Sequence, residues 1–269
     1  MNYYQIKVII KKDLIELQKD KGLLLSLMIP PIIFSIFLPS LILLFGANGD
    51  ITASINGLSG FLDHFLILKY PNYVTTANLP IYAIFTYFFL PLFMLIPIMV
   101  STILASNSFI GEKEKRTMEG LYYTPISPKT IIFGKAFACA IPACLFTIFS
   151  VIVYSIVVNS LGWSYFGHAI LPNLTWLLVI FIISPLLVLL SILLIIGSSQ
   201  YFKNSKSAQG IAMVVVVPIL GMIISQSTGV LLLGVFETII FISILLFVVI
   251  VLFIVVVKCF NFEKFILNI

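Results

Sequence analysis

Charged residues are scarce in this chain of 269 residues. They make up 9% of it, whereas 61% is hydrophobic, and an ordinary soluble domain carries about 25% charged residues. This composition excludes a water-soluble globular protein. Charge is absent from residues 23–45 and 70–111, from 136–202 apart from His168, and from 207–257 apart from Glu237. A helix needs about 20 apolar residues to cross a bilayer core, so each stretch is long enough to span a membrane.

Cysteine and histidine are also rare, with three and two residues respectively. The cysteines are Cys139, Cys144 and Cys259. They have no paired spacing, which excludes a disulfide framework, and we interpret them as small apolar side chains. His64 and His168 lie in different predicted loops, and with Asp50 and Asp63 they show no short metal-ligand spacing. We therefore expect no metal and no cofactor in this chain.

The chain lacks the phosphate-binding loop Gly-x-x-x-x-Gly-Lys-Ser/Thr, which excludes ATP hydrolysis by a site of that kind. Gly134-Lys135 resembles its end, but Ala136 follows where Ser or Thr is needed. Enzymes embedded in membranes need paired carboxylates, histidine clusters or an activated serine within the bilayer. Glu237 is the one acid there. We therefore predict that the chain is not an enzyme.

The apolar stretches divide into six predicted spans. Their predicted bounds are 23–45, 80–110, 136–161, 174–196, 208–225 and 237–257. The last two spans meet at the polar cluster Ser225 to Gly229, which is wide enough to form a turn. The sequence thus predicts an all-α integral membrane protein, with six transmembrane helices forming one transmembrane domain over residues 1–269.

Positive charge predicts the orientation of the spans. Of the 15 Lys and Arg residues, all except Lys69 precede span 1, lie between spans 2 and 3 or 4 and 5, or follow span 6. Because cytoplasmic loops hold the positive excess, both termini are predicted to be cytoplasmic. The loops at about 46–79, 162–173 and 225–236 are then external.

Residues 1–22 carry a helical pattern of their own. Apolar side chains recur near one helical face: Ile6, Ile9, Ile10, Leu14 and Leu17. This pattern predicts a helix lying on the inner membrane surface. An irregular basic anchor is the alternative.

Charge is concentrated between spans 2 and 3. Acidic and basic residues there have the i,i+3 and i,i+4 spacing that stabilises a helix: Glu112, Lys115, Arg116 and Glu119. Thr124-Pro125 marks where this helix should stop. Met118, Leu121 and Tyr122 form an apolar stripe that nothing in the loop itself can bury, which fits contact with a partner. The alternative is a solvated basic loop that only sets topology.

The run Glu112…Glu114…Thr117-Met118-Glu119…Leu121…Thr124-Pro125-Ile126-Ser127, ending in Gly134-Lys135, resembles the signature between the second and third spans of type-2 ABC export permeases. In that family the pattern is an acidic pair, Thr-Leu-Glu, a leucine pair, Thr-Pro-hydrophobic-Ser and then Gly-Lys. This chain departs from it with Arg116 in place of glycine, Met118 in place of leucine, and Gly120 and Tyr122-Tyr123 around the leucine pair. The tyrosines bear on partner specificity.

The resemblance implies the permease subunit of an ATP-driven exporter in a bacterial plasma membrane. A short cytoplasmic coupling helix would dock a separate ABC ATPase, present in two copies, in which ATP and magnesium bind. The residues it assigns to ATPase coupling are Glu112, Met118, Glu119, Leu121, Tyr122, Thr124 and Pro125. It also implies a dimer with a second permease copy or a related permease, and a substrate path near spans 1, 2 and 5. The lipid bilayer is the other expected partner, and no nucleic acid is expected.

Sparse charge within the spans favours a hydrophobic or amphipathic substrate, such as a drug or an antimicrobial peptide. Sodium and lipid-linked glycans remain open as substrates of related permeases. An ion-gradient-driven secondary transporter is the rival class, which would carry charged residues or broken helices at the membrane midplane.

Glu237 has two interpretations. Counting back about 20 residues from Lys258 puts it near the outer boundary, as an acid at the start of span 6. The family resemblance suggests instead a short re-entrant segment over 229–236, which makes Glu237 a possible outer gate. Other polar residues within the spans, among them Asn107 and Ser108, either line a path or hold helices together.

Overall fold

The computed structural model describes residues 3–46, 71, 74–75, 78–115, 126–202, 204–230 and 233–259, and the statements below concern these residues. The regular elements within them are helical. The first, α1, is Tyr3–Lys19. It is separated from the next helix by Asp20, whose side chain accepts a hydrogen bond from the Leu23 amide at 2.9 Å and so caps that helix.

The predicted N-terminal helix is therefore present. Ile9 on its predicted apolar face is buried, and the other four members of that face are half-buried.

Six helical stretches among the described residues are long and apolar enough to cross a membrane: Lys21–Leu44, Leu79–Glu114, Lys129–Phe166, Leu174–Ser198, Ser205–Ser227 and Val235–Lys258. These spans 1 to 6 confirm the predicted all-α membrane fold. Spans 2 and 3 run further than the predicted 80–110 and 136–161. Their polar ends stay helical because Glu112 and Lys135 are buried by packing rather than released into a loop.

π-Helical turns interrupt spans 1, 2 and 4. Span 1 comprises Lys21–Ile32, the π turn Ile33–Phe37 and Leu38–Gly46, and span 2 comprises Leu79–Ala83, the π turn Ile84–Phe88, Phe89–Ala105, the π turn Ser106–Gly111 and Glu112–Glu114. Span 4 comprises Leu174–Leu178, the π turn Val179–Ile183 and Ser184–Ser198. The helices of the other spans are Pro128–Phe166 in span 3, Ser205–Gln209 and Ala212–Ser227 in span 5, and Val235–Cys259 in span 6. Such π turns depart from the regular helical ladder and occur often at functional sites.

Side-chain caps fix several helix starts. Ser127 caps span 3 by accepting from the Thr130 amide, and Asn173 caps span 4 by accepting from the Trp176 amide at 3.0 Å. Span 3 ends at Gly167, whose φ of 63° closes the helix in a left-handed conformation that suits glycine. Gly229, with φ 74°, follows span 5 in the predicted polar turn.

The six spans alternate in direction, so the bundle has two ends. The basic end carries α1, the end of span 2 at Glu114 and the start of span 3 at Pro128. The far end carries the start of span 2 at Leu79 and the start of span 6 at Val235.

Span 2 forms the centre of the bundle. In its most apolar window 72% of the residues are buried, against 6% in span 6. Phe93 of span 2 contacts Tyr154 of span 3 and Trp176 of span 4, with ring centroids 4.6 and 5.1 Å apart. The rings of Tyr154 and Trp176 stack at 5.0 Å. These aromatic contacts join spans 2, 3 and 4, whereas span 6 is left mostly exposed to its surroundings.

Candidate functional site

A buried ion pair joins the basic ends of spans 2 and 3. The side chain of Lys135 is 0% exposed, and its Nζ lies 2.7 Å from Oε2 of Glu112. The same ammonium group donates hydrogen bonds to the carbonyl oxygen and the hydroxyl of Ser108, at 3.0 and 3.3 Å. A buried charge is tolerated only when it is paired and hydrogen-bonded, and Lys135 meets both conditions.

Helix α1 completes this ion pair. Nζ of Lys12 lies 2.6 Å from Oε1 of Glu112, so both carboxylate oxygens of Glu112 face an ammonium group. Oδ2 of Asp13 accepts a hydrogen bond from the Ser108 hydroxyl at 3.1 Å and lies 3.5 Å from Nζ of Lys135. We call Lys12, Asp13, Ser108, Glu112 and Lys135 the charge cluster. Its two cations and two anions balance, which lowers the cost of burying them.

Lys12 is the most exposed cation of the charge cluster. Partial burial lowers its pKa, but the hydrogen bond and charge of Glu112 together with the charges of Asp13 and Glu16 outweigh that effect, and the pKa of Lys12 is raised from 10.5. A raised pKa means that Lys12 stabilises the fold fully below pH 10.5 and loses this effect only as pH rises further. Lys12 therefore keeps its positive charge across the physiological pH range.

Close backbone approach brings α1 to the charge cluster. A Cβ atom placed on Gly134 would lie 3.0 Å from both Cβ and Cγ2 of Ile9, tighter than nearly all real contacts. Glycine at this position therefore lets α1 pack directly on the start of span 3. The Gly134-Lys135 pair thus combines a close helix contact with a buried cation.

A second set of hydrogen bonds joins the basic end of span 2 to span 5. Oε2 of Glu114 accepts from the Ser205 amide at 3.2 Å, and Oδ1 of Asn107 accepts from the Ser205 hydroxyl at 3.0 Å. Nε2 of Gln209 donates to the Ser106 hydroxyl at 3.2 Å. Asn107 and Ser108 therefore hold helices together at the basic end.

Three carboxylates at this site, those of Asp13, Glu16 and Glu112, have oxygens within 4.8 Å of one another, which is a spacing that a metal ion can use. The ammonium groups of Lys12 and Lys135 already approach Glu112 at 2.6 and 2.7 Å. These lysines supply the positive charge that the carboxylates require. The arrangement therefore works as a set of ion pairs that fastens helices to one another.

Comparison with known protein families shows the family to which the chain belongs. The profile described as ABC-2 family transporter protein matches residues 7–239. The chain belongs to the ABC-2 transporter family. Comparisons with curated proteins and with solved structures found no match to this permease.

The coupling residues expected in this permease fall into two groups. Glu112 lies in the charge cluster, in the last turn of span 2 just before the segment that connects spans 2 and 3. The others lie outside the described residues: Met118, Glu119, Leu121, Tyr122, Thr124 and Pro125. Their role in ATPase coupling stays a prediction.

Sequence reasoning missed the charge cluster. In the sequence, Lys135 contributes to the positive charge that predicts topology, resembles the end of a phosphate loop and closes the family signature, and none of these patterns predicts a buried partner for it. A signal was available, because Lys135 lies seven residues inside a helix that starts at Pro128, directly beside Gly134. A charge placed inside an apolar helix next to glycine indicates a buried partner on another helix.

At the far end, Glu237 lies in the first turn of span 6 and is half-buried. A carboxylate in this position interacts favourably with the positive end of the helix dipole. Its side chain folds toward Gly234, where an added Cβ would lie 2.6 Å from Oε2. In the predicted re-entrant stretch 229–236, the described residues before Val235 are not helical, and residues 231–232 lie outside the description. Whether Glu237 acts as a gate stays a prediction.

Proposed function

We propose that this permease is the transmembrane subunit of an ATP-driven exporter and that a separate ABC ATPase docks on the segment between spans 2 and 3. Membership of the ABC-2 family supports the permease role. The observation that carries the coupling role is the charge cluster, because Glu112 and Lys135 bracket this segment and are 2.7 Å apart.

The charge cluster gives the docking segment a rigid base. Any force on the connecting residues 115–127 reaches span 2 near Glu112 and span 3 near Lys135. It reaches α1 through Lys12 and span 5 through the bond from Ser205 to Glu114. Four helices would thus respond together to motion of a docked ATPase.

Orientation follows from the same proposal. The basic end faces the cytoplasm, where the ATPase and its ATP are, and the far end faces outward. The positive-inside rule supports this assignment, since all Lys and Arg residues except Lys69 fall on the basic side of the predicted topology. The protein is then a multi-pass protein of a bacterial plasma membrane with both termini inside.

The distribution of buried charge argues against an ion-gradient-driven carrier. Among the described residues the buried charged side chains are Glu112, Lys113 and Lys135. All three lie at the basic end, whereas coupling ions of secondary transporters bind near the membrane midplane. The apolar spans support a hydrophobic or amphipathic substrate, such as a drug or an antimicrobial peptide, over sodium or a lipid-linked glycan.

Copurification tests the proposed partnership. A tagged full-length permease, solubilised gently from its native membrane, should carry along a soluble subunit with a phosphate-binding loop and ATPase activity. Leu121→Asp should abolish this association while Lys129→Asp, at an exposed position of span 3, should leave it intact. A permease that purifies without any ATPase under these conditions would contradict the proposal.

A further inference from the structure

The π turn Ile84–Phe88 in span 2 is where three other spans attach by side-chain hydrogen bonds. The Tyr154 hydroxyl of span 3 donates to the Phe85 carbonyl at 2.9 Å, and Nε1 of Trp176 in span 4 donates to the Thr86 carbonyl at 3.0 Å. Nε2 of Gln226 in span 5 donates to the carbonyl of Tyr87 at 3.4 Å. Three consecutive carbonyls therefore hold spans 3, 4 and 5 to span 2 near the far end.

Proline follows the π turn, four residues after Tyr87. The Tyr87 carbonyl would normally accept from the backbone N–H four residues later, but that residue is Pro91, which has no N–H. Gln226 donates to this carbonyl from span 5, and the Phe89 N–H of span 2 also points to it. The amide of Gln226 is 0% exposed, so this polar contact is formed away from solvent.

The bond from Gln226 is the weakest of the three. At 3.4 Å it is the longest, and the Oε1 atom of Gln226 is buried without a hydrogen-bond partner among the described residues. Leaving a buried acceptor unsatisfied is unfavourable, because the atom loses its hydrogen bonds to water without gaining one in the protein. Tyr154 and Trp176, in contrast, are held by ring packing as well as by their hydrogen bonds. The contact through Gln226 is thus easier to break than the contacts through spans 3 and 4.

The packing of span 5 agrees with this difference. Only 17% of its most apolar window is buried, against 61% for span 4. Its basic end is fastened to span 2 through Ser205 and Gln209. Pro218 lies inside the helix between the two attachments, where a missing N–H favours bending. Span 5 is therefore fixed at the basic end and loosely held at the far end.

We propose that Gln226 and the Tyr87 carbonyl form a releasable latch that holds the far end of span 5 against span 2, and that this latch opens during transport. Gln226 is a positioning residue in this proposal, since it acts through span 5. The latch as a step in transport rests on the proposed exporter function. The claim that this contact controls the position of span 5 does not rest on the exporter function.

Distances between spin labels test the latch. One label is placed at Leu174 at the start of span 4, and the other at Val230 after span 5; these side chains are 60% and 79% exposed. The full-length chain, with its native cysteines replaced, is placed in lipid nanodiscs and diluted with unlabelled chain so that distances within one chain are measured. Span 4 serves as the fixed reference because Trp176 fastens it to span 2.

Gln226→Glu is the informative variant. A protonated glutamic acid can still donate to the Tyr87 carbonyl, whereas a carboxylate repels it and resists burial. At low pH the distance should match the wild type, and at high pH the population with a longer distance should rise about tenfold or more. Recovery on returning to low pH shows that the fold is intact.

Two controls accompany this variant. Gln209→Glu changes the same residue type at the basic end of span 5 and should leave the far-end distance unchanged at every pH. The wild type measured over the same pH range removes any contribution from Glu237, which interacts electrostatically with Tyr87. A Gln226→Glu chain that keeps the wild-type distance at high pH overturns the latch, and so does an equal response of Gln209→Glu.

The same labels separate the latch from the exporter function. This distance measurement requires neither ATPase nor substrate, so a pH-dependent opening in Gln226→Glu stands even if no ATPase partner is found. In the permease with its ATPase, the longer distance should appear during ATP turnover. Sustained transport without that longer distance overturns the latch as a transport step and leaves the exporter function standing.

Discussion

The ammonium group of Lys135 lies 2.7 Å from a carboxylate oxygen of Glu112, which joins the end of span 2 to the start of span 3. The segment that connects these spans, residues 115–127, begins three residues after Glu112 and ends eight residues before Lys135. The end of span 2 and the start of span 3 cannot separate without breaking this buried ion pair. Under the proposed function, this ion pair would pass motion of the segment to both spans.

Lys135→Met should destabilise the permease strongly. The substitution leaves the carboxylates of Glu112 and Asp13 without their buried cation, and breaking such a pair from one side costs about 3–5 kcal/mol. The midpoint of thermal unfolding of the purified chain in detergent should fall accordingly. Lys129→Met, at an exposed position six residues earlier in span 3, is the matched control and should leave the midpoint unchanged. Equal midpoints for both variants would contradict the role of the charge cluster.

Gly134→Ala should loosen α1 from span 3. The new methyl group would lie 3.0 Å from two atoms of Ile9, close to the main chain of α1, where adjustment is difficult. Overpacking of this kind costs about 1–3 kcal/mol. Protease cleavage after Lys7 or Lys11 of α1 should become faster. Gly221→Ala in span 5, where nothing lies within 4 Å of the added Cβ, should not change the cleavage rate; faster cleavage in this control would point to a general loss of stability.

The six spans could be predicted from the sequence because length and hydrophobicity decide which segments cross a bilayer. The charge cluster could not be predicted from the sequence. Lys135 and Lys129 look alike in sequence, yet one is buried and the other exposed, because only the packing of α1 distinguishes them. Gln226 shows the same difficulty: it belongs to the polar cluster that predicts a turn, but it lies inside the helix Ala212–Ser227 with its side chain fully buried. Which group a polar side chain contacts depends on how the helices pack, and the sequence pattern does not show this packing.

Trp176→Phe should destabilise the bundle. The variant leaves the Thr86 carbonyl without its indole donor inside the aromatic contacts of spans 2, 3 and 4. An unsatisfied buried carbonyl costs about 1–3 kcal/mol, measurable as a lower unfolding midpoint. The other tryptophan, Trp163, is 59% exposed, and Trp163→Phe should change the free energy of unfolding by less than about 0.5 kcal/mol. A larger effect at position 163 than at 176 would refute this assignment of the core.

Cysteine labelling in intact cells tests the orientation. Because Gln226 is buried, Val230, at 79% exposure, is the better probe of the far end. In a chain with its native cysteines replaced, Val230→Cys should react with a membrane-impermeant maleimide added outside. Tyr3→Cys on α1, at 81% exposure, should react only after the cells are permeabilised. The reverse pattern would invert the topology and place the docking segment outside.

ATP-driven transport in reconstituted vesicles is the most direct test of the central claim that a separate ATPase powers export through this chain. The permease and its ATPase are placed in inside-out vesicles with a fluorescent amphipathic cation or a cationic peptide outside. We predict uptake that requires ATP, persists when ionophores collapse the ion gradients, and is lost in Leu121→Asp although that variant still inserts. Uptake that continues without ATPase and stops when the ion gradients are collapsed would contradict the account.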